Sequence, residues 1–426
     1  MRIQLPSVSA IADGTRRAVT RFPITALVAV LATVAGLRLV DAGGSEEEKI
    51  RLFAASLLGF PLSVALTVWL ERRTFGRSSN TLIVLVLTVV GAGIWWLGFP
   101  RWSDEIQATR FAQLALLYHL LVACLPFIGR DEPNAFWQYN RTLLERWLTG
   151  AVYAAVLFFG LALALAAVDN LFGLDVPERT YARLWMVLTF LFHPLFTLAG
   201  IPERLEELES DASYPAGLRA FSYFVLVPLT ALYLLIITAY FVKVVVTGTW
   251  PSGWIGWLVS GAATVGILTL LLASPPAARE RAPWVASFER WFWPALLPAS
   301  VMLALAIGKR IGQYGITERR YFLALLTLWL AAVALAFTLR RARGLIVIPA
   351  SLAVLAALTF AGPWGAYQVS KRSQLGRLEE LLTRLEMLDG NRIMPAPPEV
   401  DPEVGGEAAN VLRYLAGTHG RRGLEP

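Results

Sequence analysis

Charge is what this chain has least of. Only 16% of its residues are Asp, Glu, Lys or Arg, against about 25% in a soluble domain. Carboxylates are almost absent from the apolar stretches, which counts against a conventional ion-coupled carrier with acids near the bilayer midplane. Cysteine occurs once, at Cys124, so no intrachain disulfide and no cysteine-built metal site can form. Histidine occurs three times. His119 and His193 have no second His or acid at ligand spacing, so no metal site and no cofactor is expected. The chain has no phosphate-cradling G-x-x-x-x-G-K-[ST], no H-E-x-x-H and no G-x-S-x-G. Alternating segments of about 10 residues, the mark of a membrane barrel, are missing too.

Long apolar runs are what remain. The chain is 56% hydrophobic with a mean hydropathy of +0.56. Runs of roughly 18–25 residues recur, each close to the roughly 20 helical residues that cross a bilayer's hydrocarbon core. Lipid offers the backbone no hydrogen-bond partners, so such a run must satisfy its own N–H and C=O groups as a helix. The fold class is therefore all-α, a polytopic membrane helical bundle of about eleven spans. Their approximate limits are 22–40, 52–70, 81–99, 111–128, 148–168, 184–201, 221–245, 254–273, 293–308, 322–339 and 345–361.

The net charge of +7 sits mainly beside these runs, where the positive-inside rule expects it. Nucleic acid is not an expected partner; the lipid bilayer is. Arg16, Arg17 and Arg21 precede the first run and resemble the basic region of a signal peptide. That run is long for a cleaved signal, and a retained signal-anchor helix fits better. Counting basic residues by side gives about 18 on one and about 10 on the other, which places the N-terminus inside and the C-terminus outside. The inner set includes Arg72, Arg73, Arg77, Arg130, Arg141, Arg146, Arg279, Arg281, Arg290, Arg340, Arg341 and Arg343. The expected location is the bacterial inner membrane; scarce lysine against arginine and abundant alanine suit a GC-rich bacterial genome. Trp95, Trp96, Trp147, Trp250, Trp254, Trp291 and Trp293 lie near run ends, as an interfacial aromatic belt does.

Two stretches repeat. Leu144-Glu145-Arg146-Trp147 corresponds to Phe288-Glu289-Arg290-Trp291, and Glu178-Arg179-Thr180-Tyr181 to Glu318-Arg319-Arg320-Tyr321, at offsets of 144 and 140 residues. Gly59-Phe60-Pro61-Leu62 and Phe192-His193-Pro194-Leu195 are a weaker echo. The simplest scheme is a parallel four-helix unit in copies at 20–130, 140–275 and 285–363, the last short by one helix. The alternative is that Arg and Trp favour interfaces and match by chance. Residues 1–363 then form the membrane domain and 364–426 an extracytoplasmic tail. In that tail Gln374–Leu388 is an amphipathic helix, Met394–Pro402 a linker, and Val411–Leu415 a short helical segment.

Four stretches carry a family resemblance: Tyr214–Val244, Trp250–Trp254 (WPSGW), Gln313–Tyr321 (QYGITERRY) and Gly362–Gln374 (GPWGAYQVSKRSQ). On these the C-terminal half resembles the bacterial domain of unknown function 4153 family. The likeness is good over roughly 180–420 and loose before that. It implies a multi-span membrane protein and supplies no chemistry. It also implies that related chains continue past this one's end, which makes the tail a stub of a larger outer domain or a natural short form.

Candidate functional residues are few. His119 and His193 lie inside spans, where an ionisable group serves proton transfer, a ligand, or a helix–helix hydrogen bond. Lys243, beside Tyr240, either snorkels to the headgroups or lines an outward vestibule. The loop Lys309–Tyr321 breaks the positive-inside pattern. In it Arg310, Tyr314, Glu318, Arg319 and Tyr321, joined by Arg372, could grip phosphate or carboxylate, while Glu318 could equally hold Arg310 or Arg319 in a salt bridge. Three functions follow from this set. One is a non-enzymatic envelope scaffold or accessory component that binds an envelope protein partner or an anionic lipid headgroup on the outer face. Another is a transporter or lipid translocator, with a cavity near His193 and Lys243. The third is a membrane-embedded transferase on a lipid-linked substrate, with Glu318 or His193 as base.

Overall fold

The computed structural model describes residues 8–41, 43–73, 76–98, 104–248, 255–276, 282–339, 344–390 and 392–420. Arg279, Arg281, Arg340, Arg341, Arg343, Trp250 and Trp254 lie outside them. Among the described residues fourteen helices follow one another, if two π-widened helices are each taken whole and two short 3-10 turns are set aside. They are α1 Val8–Arg21, α2 Pro23–Val40, α3 Glu46–Glu71, α4 Arg77–Gly98, α5 Asp104–Cys124, α6 Pro133–Phe172 and α7 Glu178–Ala199. Then come α8 Ala216–Thr247, α9 Ile255–Ala273, α10 Pro283–Tyr314, α11 Glu318–Thr338, α12 Val347–Phe360, α13 Ala366–Arg384 and α14 Pro402–His419.

The expected bundle is present. Ten helices among the described residues are long and apolar enough to cross a membrane, and the expected last span is the shorter apolar α12. Their outward faces are apolar, as lipid requires. On α6, Val156, Phe159 and Leu163 are 66%, 69% and 73% exposed, a belt that a water-soluble surface would not carry.

Helix limits differ from hydropathy in an instructive way. α6 spans 40 residues, about 60 Å at 1.5 Å per residue, twice the hydrocarbon thickness. No helix breaker interrupts it, so it runs on past the apolar segment. The two Glu-Arg-Trp motifs thus lie inside α6 and α10 rather than in loops before a span. α6 and α10 both end on a positive-φ glycine, Gly173 (φ 61°, ψ 38°) and Gly315 (φ 69°, ψ −178°), in different conformations, and Glu178 and Glu318 are each the first residue of the next helix. In α7 and α8 a π segment, Leu188–Phe192 and Ser222–Leu226, comes just before Pro194 and Pro228. Proline lacks an N–H and crowds the carbonyl four residues back, and a wider turn relieves both.

The chain forms two compact units. The first comprises 1–102 and 110–211, the second 103–109 and 212–426. The boundary falls within 140–275, the stretch expected to be the second copy.

In the first unit α3 is central, with Leu58, Ala65 and Val68 fully buried. Its start is capped by Ser45, which accepts from the Glu48 amide at 3.4 Å, and acids fill the first turn, where the helix dipole favours them. Polar contacts mark two ends of the unit. At one end Arg21 forks onto Glu71 at 2.9 and 2.8 Å, and Arg72, whose side chain is 4% exposed, pairs with Glu132 at 2.6 Å and Glu206 at 3.1 Å. There Asn134 Nδ2 donates to the carbonyls of Leu208, Glu209 and Asp211, and the Ala135 amide donates to Glu209 Oε2 at 2.8 Å. At the other end Arg183 meets Asp41 at 2.5 Å, and Arg51 donates to the Trp96 carbonyl at 2.7 Å. The loops expected on one face thus meet each other, and so do those expected on the opposite face. Of the tryptophans read as an aromatic belt, Trp95 and Trp293 are buried at 2% and 5%, while Trp147 and Trp291 are 52% and 65% exposed.

In the second unit α10 and α11 form the core with α8, α9 and α12 through Phe292, Trp293, Leu296, Leu330, Ala334 and Ile348. Trp293 stacks on Phe337 at 4.5 Å and 7°. The tail is more ordered than its sequence implies. α13 begins at Ala366 and α14 covers Pro402–His419. They pack through Leu381, Leu385, Ala408, Val411 and Leu415, joined by a two-residue hairpin, Leu388–Asp389 with Arg392–Ile393.

Candidate functional site

The α10–α11 turn and the tail meet within the second unit. Gly315 ends α10 at φ 69°, and a Cβ there would lie 2.7 Å from Gln374 Nε2. That side chain sits so close because it donates to the carbonyls of Tyr314 at 3.0 Å and Ile316 at 3.1 Å. Ser373 Oγ accepts from the Ile316 amide at 2.8 Å. Tyr321 donates to the Trp364 carbonyl at 2.6 Å. Two of the stretches carrying the family resemblance, Gln313–Tyr321 and Gly362–Gln374, are thus bonded to each other.

Glu318, first in α11, is 7% exposed. Its partner is not Arg310 or Arg319. The Tyr414 hydroxyl donates to Glu318 Oε2 at 2.5 Å, and Ser370 shares a short hydrogen bond with that hydroxyl. His419 Nε2 lies 3.7 Å from Glu318 Oε1, with both side chains buried. Neither of these two atoms has a hydrogen-bond partner among the described residues. The His419 ring packs edge-on against Tyr414 and Tyr367. Thr418 reaches Glu105 Oε2 at 3.5 Å. A carboxylate at a helix start gains from the dipole and the free amides there.

Burial, and then the bond to Glu318, push the Tyr414 hydroxyl well above the usual tyrosine range. Burial holds His419 below the ordinary histidine value, Glu318 opposing it and Lys371 adding to it. At neutral pH the imidazole is therefore neutral beside a carboxyl group already engaged by a phenol. This is a docking joint that leaves one carboxylate oxygen and one ring nitrogen unpaired among the described residues. Among the described residues no group of three or more His, Cys, Asp or Glu could hold a metal ion.

The other expected site residues do not join it. Arg310 and Arg319 are exposed. Arg372 is bonded to the Pro363 carbonyl. Arg320 folds back on the carbonyls of Tyr314 and Gly315 and over the Tyr314 ring. Tyr240 packs beside the cluster of Ile237, Val259 and Met302, and Lys243 is exposed near the end of α8. In the first unit His193 shares a 3.0 Å hydrogen bond with the Trp147 carbonyl and lies 2.7 Å from where a Cβ on Gly150 would stand. His119 bonds to the Ala115 carbonyl of its own helix at 2.7 Å and is exposed.

Ser370, Ser373, Gln374, Tyr414, His419 and Glu105 had no functional reading in the sequence. One signal was available. Val411 and Leu415 form an apolar helical face, and Tyr414 and Thr418 extend it as polar residues at its edge.

Residues 5–387 match the family described as a domain of unknown function (DUF4153). Tyr414 and His419 lie beyond that match. No curated protein and no solved structure matches the chain.

Proposed function

Since the chain belongs to the DUF4153 family, a domain whose description names no activity, we propose from its geometry that it is a non-enzymatic scaffold or accessory component of the bacterial envelope. On this reading the α10–α11 turn, with the tail docked on it, presents a basic surface to an acidic partner protein on the outer face. One observation carries it: Glu318, the acid placed to do chemistry at the turn, is consumed by Tyr414 of the tail. Meanwhile Lys309, Arg310 and Arg319 stay exposed with no carboxylate partner among the described residues. The transporter and transferase readings draw less support. His193 is engaged by a helix–helix hydrogen bond, and Glu318 is buried under the tail.

The test is site-specific photocrosslinking from the exposed Tyr314 position in cells. A discrete adduct that vanishes in Arg310→Ala with Arg319→Ala supports the reading. No adduct, and an intact phenotype in that double variant, overturns it. Retention of an anionic lipid by this surface, without a protein adduct, would move the assignment to a headgroup.

A further inference from the structure

The first unit contains a second basic feature that this function does not use. A cleft of about 500 Å³ opens at the end where Arg21 meets Glu71, and Arg17, Arg21, Arg73 and Arg77 line it with the acids Glu71 and Glu203. These arginines are not equivalent. Arg21 is neutralised and fixed, since it forks onto Glu71 and also donates to the carbonyls of Ile201 at 2.6 Å and Pro202 at 2.8 Å. Arg77 donates to the Thr20 carbonyl at 2.6 Å, and Arg73 lies over the Trp69 ring at 5.0 Å. Arg17, Arg73 and Arg77 are exposed and have no carboxylate partner among the described residues. Four arginines against Glu71 and Glu203 leave the lining net positive by two charges, and a concavity concentrates that positive potential.

Two further observations narrow the ligand. The cleft also has an apolar wall, from Pro23 and Ile24 of α2 and Val84 of α4. That wall continues one turn on into an outward apolar side chain of α2, Leu27 at 50% exposed. A soluble anion has no use for such a track; an acyl chain does. The other observation is Asn80, which also lines the cleft. Its Nδ2 donates to the Leu70 carbonyl at 3.2 Å, which fixes the amide orientation and leaves Oδ1 as an acceptor. That Oδ1 is buried and has no partner. Arginines only donate, so a ligand that satisfies the whole lining brings anionic oxygens for them and a hydroxyl for Asn80.

We propose that this cleft binds the headgroup of an anionic phospholipid that carries a hydroxyl, of the phosphatidylglycerol class. Its phosphodiester oxygens accept from Arg17, Arg73 and Arg77, as guanidinium forks suit phosphate. A headgroup hydroxyl donates to Asn80 Oδ1, and an acyl chain lies along Pro23, Ile24 and Leu27. Basic pockets between membrane helices on the positive-inside face are a recurrent place for such headgroups, and these arginines fall on the side where the sequence puts its basic excess.

The full chain is placed in nanodiscs containing equal phosphatidylglycerol and phosphatidylcholine, and the retained lipid is counted by native mass spectrometry. Phosphatidylglycerol is expected to be retained over phosphatidylcholine. Arg17→Ala with Arg73→Ala is expected to weaken it roughly thirty-fold, at about 1 kcal/mol for each basic residue near a membrane surface. Arg17→Lys with Arg73→Lys keeps most of the binding, and Lys309→Ala with Arg310→Ala, in the other unit, leaves it unchanged. Asn80→Ala lowers binding of phosphatidylglycerol but not of phosphatidylethanol, a phosphodiester of the same charge whose headgroup has no hydroxyl. Should the double alanine variant fail to fold, Ile24→Trp, at a half-buried position of the cleft wall, narrows the cleft without touching its charge and is expected to lower retention sharply. Equal retention by the parent and the variants, or equal retention of phosphatidylcholine, overturns the proposal. So does displacement of the lipid by inorganic phosphate at matched concentration, which would assign the cleft to a soluble anion.

Discussion

The Tyr414 hydroxyl donates to Glu318 Oε2 across 2.5 Å of space and 96 residues of sequence. That bond ties the last helix of the tail to the first turn of α11. Tyr414→Phe leaves a buried carboxylate short of its donor and is expected to loosen α14 by about 1–3 kcal/mol. Hydrogen exchange of the α14 amides reads this directly. Glu318→Gln with Tyr414→Phe should cost less than the sum of the single changes, because the two groups share one interaction. Additive losses would show that they do not.

Acid should loosen the same joint. His419 faces Glu318, Tyr414, Tyr367 and Glu105, with Lys371 nearby, and burial holds its pKa below the ordinary value of 6.5. The undocked imidazole therefore binds protons more readily than the docked one. Its contribution is fully present above pH 6.5 and is lost as the pH falls below that value toward the docked one. Protection of α14 amides should decline between pH 7.5 and 5.5, and His419→Gln should flatten the decline. An unchanged slope in that variant would assign the pH response to another group.

Gly315→Ala is expected to destabilise the turn by roughly 1–3 kcal/mol from the backbone alone, because φ 69° with ψ −178° is a conformation essentially reserved for glycine. The added methyl also pushes into Gln374 Nε2, 2.7 Å away, and disturbs the bonds from Gln374 to the carbonyls of Tyr314 and Ile316. A thermal melt gives the loss. Gln374→Ala in the same background should cost little more, since the contact is already broken.

Arg72 is the corresponding fixed point of the first unit. Arg72→Ala takes from Glu132 the nearer of its two arginines and leaves Arg130 at 3.7 Å, so the loss should lie toward the low end of the about 3–5 kcal/mol for breaking a buried pair. Early melting is expected. Arg72→Met with Glu132→Gln should recover much of it, because the part-buried side chain at 132 no longer carries a charge. A double variant as unstable as Arg72→Ala would show that the bonds from Arg72 to Glu206 and to the Pro126 carbonyl matter more.

The legible part of the fold was the part that depends on near neighbours along the chain. Apolar run length showed the spans. Proline positions did not by themselves mark the wider turns, which come before Pro194 and Pro228 but not at Pro61 or Pro298. Hydropathy did not mark where α6 and α10 begin, because a helix can leave the hydrocarbon and continue with polar residues. It also placed Trp95 and Trp293 at an interface, when packing against neighbouring helices buries both.

The candidate site divided along the same line. From the sequence alone, the loop Lys309–Tyr321 was exceptional in charge, and Glu318 was its one acid. Which group would answer Glu318 was not legible. Arg310 and Arg319 are close in sequence, but a helix start turns successive side chains in different directions, and the residue that reaches Glu318 is Tyr414. The sequence by itself determined the membrane class, the approximate spans and the family, because those follow from local hydropathy and local motif. Only the tertiary structure decided that Glu318 belongs to a docking joint, and that Arg17, Arg73 and Arg77 surround one cleft, because both depend on which distant helix ends meet in space.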